Sequence, residues 1–433
     1  MKKNILLVLI IFAMLLVIAA LVINGLGLLD PAPAEATPAP DTAVTPVPQE
    51  TAAAEPTPAF TALDDGSIKA IQNDAVTAMR SCADVYAAAD KGEAQNVVLS
   101  DETVASMVSA LGAAGYSAVD YYGNCNMQNP EALAAFGEAV SAGNDAQAGY
   151  FVVHPDGLVH EELLICSGGT ASVVTVSMQW DDKMNPEIYS SGQYGLESIR
   201  YTANGWLIFS RGGSANANAS KYSMVRVKTY DADRRALCSR YLTPVGYSEN
   251  NLFTVSWNTG NWGELDFNSL YAKFYSMYYG AEPLTFNNAG TSAGLSAISG
   301  SYMHLVPAEQ FERVMEGYLD ISGDTLRARS DYSSARGGYY FLGTQRDYYS
   351  VTPHWPEPEI VDYWNNSDGT LTMRVNAVYE WGGTDCLFTH EVTVRETETG
   401  FVYVSNSVLS GGEGTPPANI LVGERKSQIS MLG

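Results

Sequence analysis

Few residue patterns in this chain of 433 residues are built for chemistry. His160 and Glu162 stand two apart on a predicted strand and so share a face, with His154 across the neighbouring turn. Two of these groups can meet a metal, but a zinc-type site needs three protein ligands, and the spacing does not secure a third. His390 alternates with Phe388, Val392 and Val394, the setting of a core histidine satisfied by its neighbours. Its sharper reading, shared with His354, is an acid or base in a pocket. Five cysteines, Cys82, Cys125, Cys166, Cys238 and Cys386, allow a bridge. Cys82 with Cys125 is the pair to test first, because their helical regions are expected to pack together; buried free thiols are the competing reading. Asp181, Asp182, Glu357 and Glu359 offer oxygen ligands for calcium without the D-x-D-x-D-G loop that would organise them. There is no G-x-S-x-G, S-x-x-K, H-E-x-x-H, C-x-x-C, Walker or G-x-G-x-x-G motif. No residue is therefore assigned a catalytic or metal-binding role, and no cofactor is expected.

Aromatics are the remaining lead. Tyr275, Tyr278 and Tyr279 cluster, as do Tyr339, Tyr340, Tyr348, Tyr349, Trp355, Tyr363 and Trp364. Such rings stack on sugars or fill apolar pockets. They also pack across strands, where aromatics are favoured. The pattern alone assigns no binding residue.

The elements that position these groups follow from periodicity. Asp64, Asp65 and Ser67 supply cap chemistry for a helix whose face is Ile68, Ile71, Ala75, Met79, Cys82 and Tyr86, ended by Gly92. Ser100 opens a second helix (Val104, Met107, Val108, Leu111), and Asn129 before Pro130 a third (Leu133, Phe136, Val140). The period then changes to two. Residues 150–153 and 158–165 flank Pro155-Asp156-Gly157 as a hairpin. After Gly169-Thr170, Val174, Val176, Met178 and Trp180 fall on one face, and Val173, Thr175, Ser177 and Gln179 on the other. Residues 197–201 and 206–209 form another hairpin through Asn204-Gly205, and 221–230 a further strand.

A similar order returns about 200 residues later. Asp266 opens a helix closed by Gly280, and Pro307 stands at the start of another, with Phe311, Val314 and Met315 inward. Gly338-Tyr339-Tyr340-Phe341 echoes Gly149-Tyr150-Phe151. Gly369-Thr370 leads into Leu371, Met373, Val375, Ala377, Tyr379 and Trp381, as Gly169-Thr170 leads to Trp180. No third helix is expected in this half, where 330–336 reads as irregular. The expected fold class is α+β: two tandem related units, each with helices packed on an antiparallel meander sheet, after an N-terminal transmembrane helix and a disordered stalk.

The N-terminus carries the location signal. Lys2 and Lys3 precede residues 5–23, nineteen in a row without a polar side chain, enough to span a bilayer. The lysines place the N-terminus in the cytoplasm and the remainder outside. The run exceeds the usual apolar length of a cleaved leader, so a retained single-pass anchor is the reading taken; secretion after cleavage is the alternative. Residues 30–61 are built from Pro, Ala, Thr and Glu and hold eight of the nineteen prolines, as in a stalk. The expected organisation is 1–29 anchor, 30–61 stalk, 62–230 first unit, 231–250 connector, 251–411 second unit and 412–433 tail. Asp and Glu number 48 against 24 Lys and Arg, a net charge of −24 that argues against a nucleic-acid partner. At 46% hydrophobic residues the chain can bury a core, which excludes wholesale disorder.

The order of elements resembles the cone-shaped folds of the nuclear-transport-factor-two-like and cystatin-like superfamilies, which host enzymes and binding modules alike. Three stretches carry a closer resemblance: Ser67-Ile-Lys-Ala-Ile-Gln-Asn-Asp-Ala-Val76, Pro244-Val-Gly-Tyr247 through Leu252-Phe253, and Tyr363-Trp-Asn-Asn-Ser-Asp-Gly-Thr370. They are similar to a family, a domain of unknown function, of membrane-anchored surface proteins from Gram-positive gut bacteria. That resemblance implies a surface location and no particular site residues. The expected function is a non-enzymatic binding or interaction module of the cell envelope, held to the cell membrane by its N-terminal helix, with an envelope glycan or protein as partner. The alternatives are an extracellular hydrolase-like enzyme using a cone-shaped pocket, and a structural spacer in an envelope or secretion assembly.

Overall fold

Helices begin where side chains can take up free N–H groups. The Asp64 carboxylate accepts the Ser67 N–H at 2.8 Å and opens α1 (Asp65–Arg80). Ser81 ends it, because its Oγ donates to the Ala78 carbonyl at 2.7 Å and competes with the main-chain ladder. The chain restarts as α2 (Ala83–Ala88). The single helix expected through Tyr86 is thus two, although Ala75, Met79, Cys82 and Tyr86 are buried as the pattern requires. Ser100 caps α3 (Asp101–Ala113) through the Thr103 N–H, and α4 (Glu131–Ser141) follows Pro130.

In the computed structural model, residues 60–92, 97–211, 220–281, 296–297, 303–342, 354–416, 425–426 and 429–430 are described. The apolar run 5–23, nearly all of the proline-rich segment, and Tyr348 and Tyr349 lie outside them. No helix among the described residues is long and apolar enough to cross a membrane.

The first half is one seven-stranded sheet in chain order. β1 (Ala118–Asp120) runs parallel to β2 (Ala146–Val153). From there β3 (Val159–Ser167), β4 (Thr170–Trp180), β5 (Pro186–Tyr201), β6 (Trp206–Arg211) and β7 (Tyr222–Arg226) are antiparallel. The expected β2–β3 hairpin is present, with Val153 opposite Val159. Its Gly157 has φ +83°, and a Cβ there would stand 2.5 Å from the Tyr86 ring. That close approach lets Tyr86 stack on Trp180 at 4.7 Å. β5 is sixteen residues long, so the segment expected at 197–201 is only its end. Its early part pairs with β4 and its late part with β6, with register shifts in both ladders, and the sheet curls.

Both faces of this sheet are buried. Phe151, Val153, Val159, Val176 and Met178 pack with α1, α2 and α3. Tyr150, Leu164 and Val173, on the opposite face, pack with Leu133 and Phe136 of α4 and with Leu207, Phe209 and Val225, which the curl brings over. The second side of β4, with Thr175, Ser177 and Gln179, therefore also holds a core residue, Val173.

In the second half, α5 (Ala232–Tyr241) is the connector, capped by Asp231. α6 (Phe267–Tyr279) ends on left-handed Gly280, and α7 (Ala308–Glu316) follows Pro307, both as expected. α8 (Gly323–Arg329) is a third helix that the sequence reading lacks. Ser322 caps it and only Leu326 is buried, so no apolar period marks it. The strands form two sheets. β12 (Gly338–Leu342) and β10 (Met303–Pro307) lie between β11 (Tyr332–Ser333) and β9 (Ser296–Ala297). β13 (Glu357–Asn365), β14 (Leu371–Val378), β15 (Thr389–Thr397) and β16 (Gly400–Val408) form a meander completed by β8 (Trp257–Asn258). β14 stops at Val378, short of the expected Trp381, because Glu380–Gly382 turns as a 3-10 helix onto left-handed Gly383.

The halves meet through polar pairs. Glu359 on β13 accepts from Arg226 of β7 and from Trp206 Nε1 at 3.1 Å. Asp385 accepts from Thr202 Oγ1 (2.6 Å) and Asn204 Nδ2 (2.9 Å). Tyr230 Oη accepts the Ile360 N–H at 2.9 Å. The two halves belong to one compact unit. The Glu359 and Arg226 side chains are 9% and 19% exposed, so removing one partner strands a buried charge. Glu359→Ala is expected to lower stability by about 3 kcal/mol. Urea unfolding should show one transition at a lower midpoint, not two separated ones.

Candidate functional site

Each histidine singled out by the sequence has a definite place. His160 Nε2 stands 3.6 Å from Glu162 Oε1, and its Nδ1 shares a 2.8 Å hydrogen bond with Ser177 Oγ. Glu162 also accepts from Tyr150 Oη and from Arg211 Nη2 at 2.7 Å. Burial alone would raise this carboxyl, but His160, Tyr150 and Arg211 together hold it below its ordinary range. Glu162 is thus a satisfied anion that ties the end of β6 to β3, rather than a proton donor. His154 does not join it; its ring lies on Tyr121 at 4.5 Å. Among the described residues no group of three His, Cys, Asp or Glu could hold a metal.

His390 is a core histidine. It is fully buried, with Nε2 bonded to Tyr247 Oη at 2.8 Å and Nδ1 to Asn406 Oδ1 at 2.7 Å. Burial pushes its pKa down to about 4 against the weaker opposing bond from Asn406. His354 stacks on Trp381 at 3.6 Å. The five cysteines are unpaired. Cys82 Sγ donates to Met107 O, and burial pushes the Cys82, Cys125 and Cys238 thiols up to about 11, far from an activated nucleophile. Two of the acidic residues considered for calcium have separate tasks. Asp181 closes its own hairpin turn through the Lys183 and Asn185 N–H groups, and Glu359 holds Arg226. Among the aromatics, Tyr339 is buried against Phe311 and donates to Glu312, while Tyr278 and Tyr279 are exposed at the end of α6.

Among the described residues a further concavity takes only Cys166 from these groups. A groove of about 680 Å³ lies between the end of α4, the tip of the β3–β4 hairpin and β5. That volume is in the range of small-ligand sites. Phe60, Val140, Leu196 and Ile199 give it apolar walls. Asn144, Asp145, Ser167, Glu197 and Ser198 give it hydrogen-bonding groups. Asp145 fixes the hairpin tip by accepting the Gly168 N–H (2.9 Å) and Ser167 Oγ–H (3.1 Å). Phe60 lies over Gly195, where a Cβ would come 2.7 Å from the ring. Leu63 N–H donates to Gln193 Oε1 at 2.8 Å and holds the segment before α1 along β5. An aromatic wall beside carboxylates, an amide and hydroxyls suits a polar ligand with hydroxyl or amino groups. The sequence reading did not bring these residues together because they come from the end of α4, two turns, one strand and the lead-in to α1. Only Gly168-Gly169 and Gly143-Asn144 mark the turns in advance.

The fold and groove thus define a mixed α+β body with a ligand-sized concavity and a sealed core histidine. The model of DUF6070, a family of unknown function, matches residues 68–420, and the chain belongs to that family. No curated protein and no solved structure matches the chain.

Because the folded pKa of His390 is depressed, unfolding takes up a proton between about pH 6.5 and 4. Its neutral form therefore contributes stability that is complete above about pH 6.5 and lost as pH falls toward 4. His390→Gln should flatten that part of the stability–pH curve, by up to about 3 kcal/mol of differential effect in urea titrations.

Proposed function

We propose that this chain is a membrane-anchored extracellular binding module, without enzymatic activity, that takes an envelope glycan or peptide into the groove beside Phe60. The groove's size and mixed lining carry the reading. Support for the location comes from Lys2, Lys3 and the apolar run 5–23, followed by the proline-rich segment. The halves are read as related units. Each has a hairpin turning at a Gly-Thr pair and a meander that continues in chain order, β3 to β6 and β13 to β16.

Full-length protein in detergent should be retained on isolated cell-wall material. Phe60→Ala and Glu197→Gln should each weaken retention about three- to tenfold, the loss of one stacking or polar contact. Tyr122→Ala, outside the groove, should leave it unchanged. No retention, or equal retention by all variants, contradicts the reading; recovery of a stable protein complex from detergent extracts favours the spacer instead.

A further inference from the structure

Glu161 is the neighbour of Glu162 on β3 and points to the other face of the sheet. It lies between Phe151 of β2 and Val176 of β4, both in the core under the helices. The residue is 6% exposed, and its Oε2 is buried without a hydrogen-bond partner. From α1 the group acting on it is Asp74, also a carboxylate. From the connection after α3 it is Tyr116, whose Oη donates to Asp74 at 3.2 Å and whose ring stands edge-on to Phe151 at 5.2 Å. The groups β2 and β4 present, Gly149, Phe151 and Val176, do not ionise. A buried carboxylate facing a second carboxylate costs free energy that a carboxylic acid does not. Burial first, and Asp74 second, push the Glu161 pKa up to about 8.

α1 also reaches the groove. Gln72 Nε2 donates to Ser191 Oγ of β5 at 2.8 Å, and the lead-in to α1 carries Leu63 on Gln193 and Phe60 on the groove wall. We propose that Glu161 is a proton-dependent latch which, while protonated, holds α1 on the sheet and thereby keeps the Phe60 wall of the groove in place. The control of ligand binding rests on the groove reading; the latch itself does not. The sign follows from a raised folded pKa. Lifting α1 solvates Glu161, whose ordinary pKa is 4.5, and releases its proton. The latch is tightest below about pH 5, weakens up to about tenfold per pH unit toward pH 8, and weakens no further above it.

The test is hydrogen exchange of full-length protein in detergent between pH 5.5 and 8, corrected for intrinsic rates, with wall retention measured in parallel. Protection across α1 should fall by up to about a hundredfold over two pH units, more steeply than in α4. Glu161→Gln should abolish that slope. If Glu161→Gln does not fold, Asp74→Asn serves: by removing the opposing charge it should move the plateau to lower pH, which loss of packing would not do. Protection of α1 that is independent of pH, or a slope unchanged in the variants, overturns the latch. So does recovery of α1 protection at pH 8 on adding calcium, which would make the carboxylate pair a cation site. A working latch with wall retention constant across pH overturns its control of the groove. A working latch with no retention at any pH overturns the groove reading alone.

Discussion

The fold of the first half depends on one constraint: strands β2, β3 and β4 are buried on both faces. Helices α1 to α3 cover one side, and α4 with the curled β6 and β7 covers the other. Alternate residues of a single strand therefore belong to different cores, and a one-residue slip of register would exchange them. The two adjacent carboxyls of β3 show the consequence. Glu162 faces Arg211, Tyr150 and His160 and is held as an anion. Glu161 faces Phe151, Val176 and Asp74, and burial first, then Asp74, push its pKa up to about 8. The pKa values of these sequence neighbours are pushed in opposite directions because the pleat sends them to opposite sides.

The same constraint explains the groove. A sheet wrapped on both faces must end somewhere, and here the end of α4 leaves the β3–β4 tip and the bend of β5 uncovered. Gly195 allows the Phe60 ring to lie directly on β5, so the concavity gains an aromatic wall from outside the sheet. Asp145 ties the tip to the α4–β2 connection and gives the floor a fixed shape. Of the two carboxylates in the lining, Asp145 is engaged in holding the turn and Glu197 is not.

Much of the local structure was legible. Asp64, Ser100 and Pro307 mark helix starts because capping is a short-range interaction between a side chain and the next turn. Pro155-Asp156-Gly157 marks a hairpin for the same reason, and the apolar neighbours of His390 mark it as core. Interactions between near neighbours that leave no period were not legible: the Ser81 break, the Tyr379–Thr384 turn that ends β14, and α8 with its single buried residue. Nor were the pairings that join the halves, since Arg226–Glu359 and Thr202–Asp385 lie 133 and 183 residues apart and no spacing rule connects them. Glu161 was visible in principle: strict alternation places it beside Val159 and Leu163, an acid on the apolar face.

The central claim is that the groove beside Phe60 is where this DUF6070 protein meets its ligand. The most direct measurement is hydrogen–deuterium exchange of the full-length chain with and without solubilised cell-wall fragments. The account predicts new protection confined to residues 143–145, 166–171 and 195–199. Protection absent from all three segments, or found only around Tyr121 and Tyr122, would contradict it.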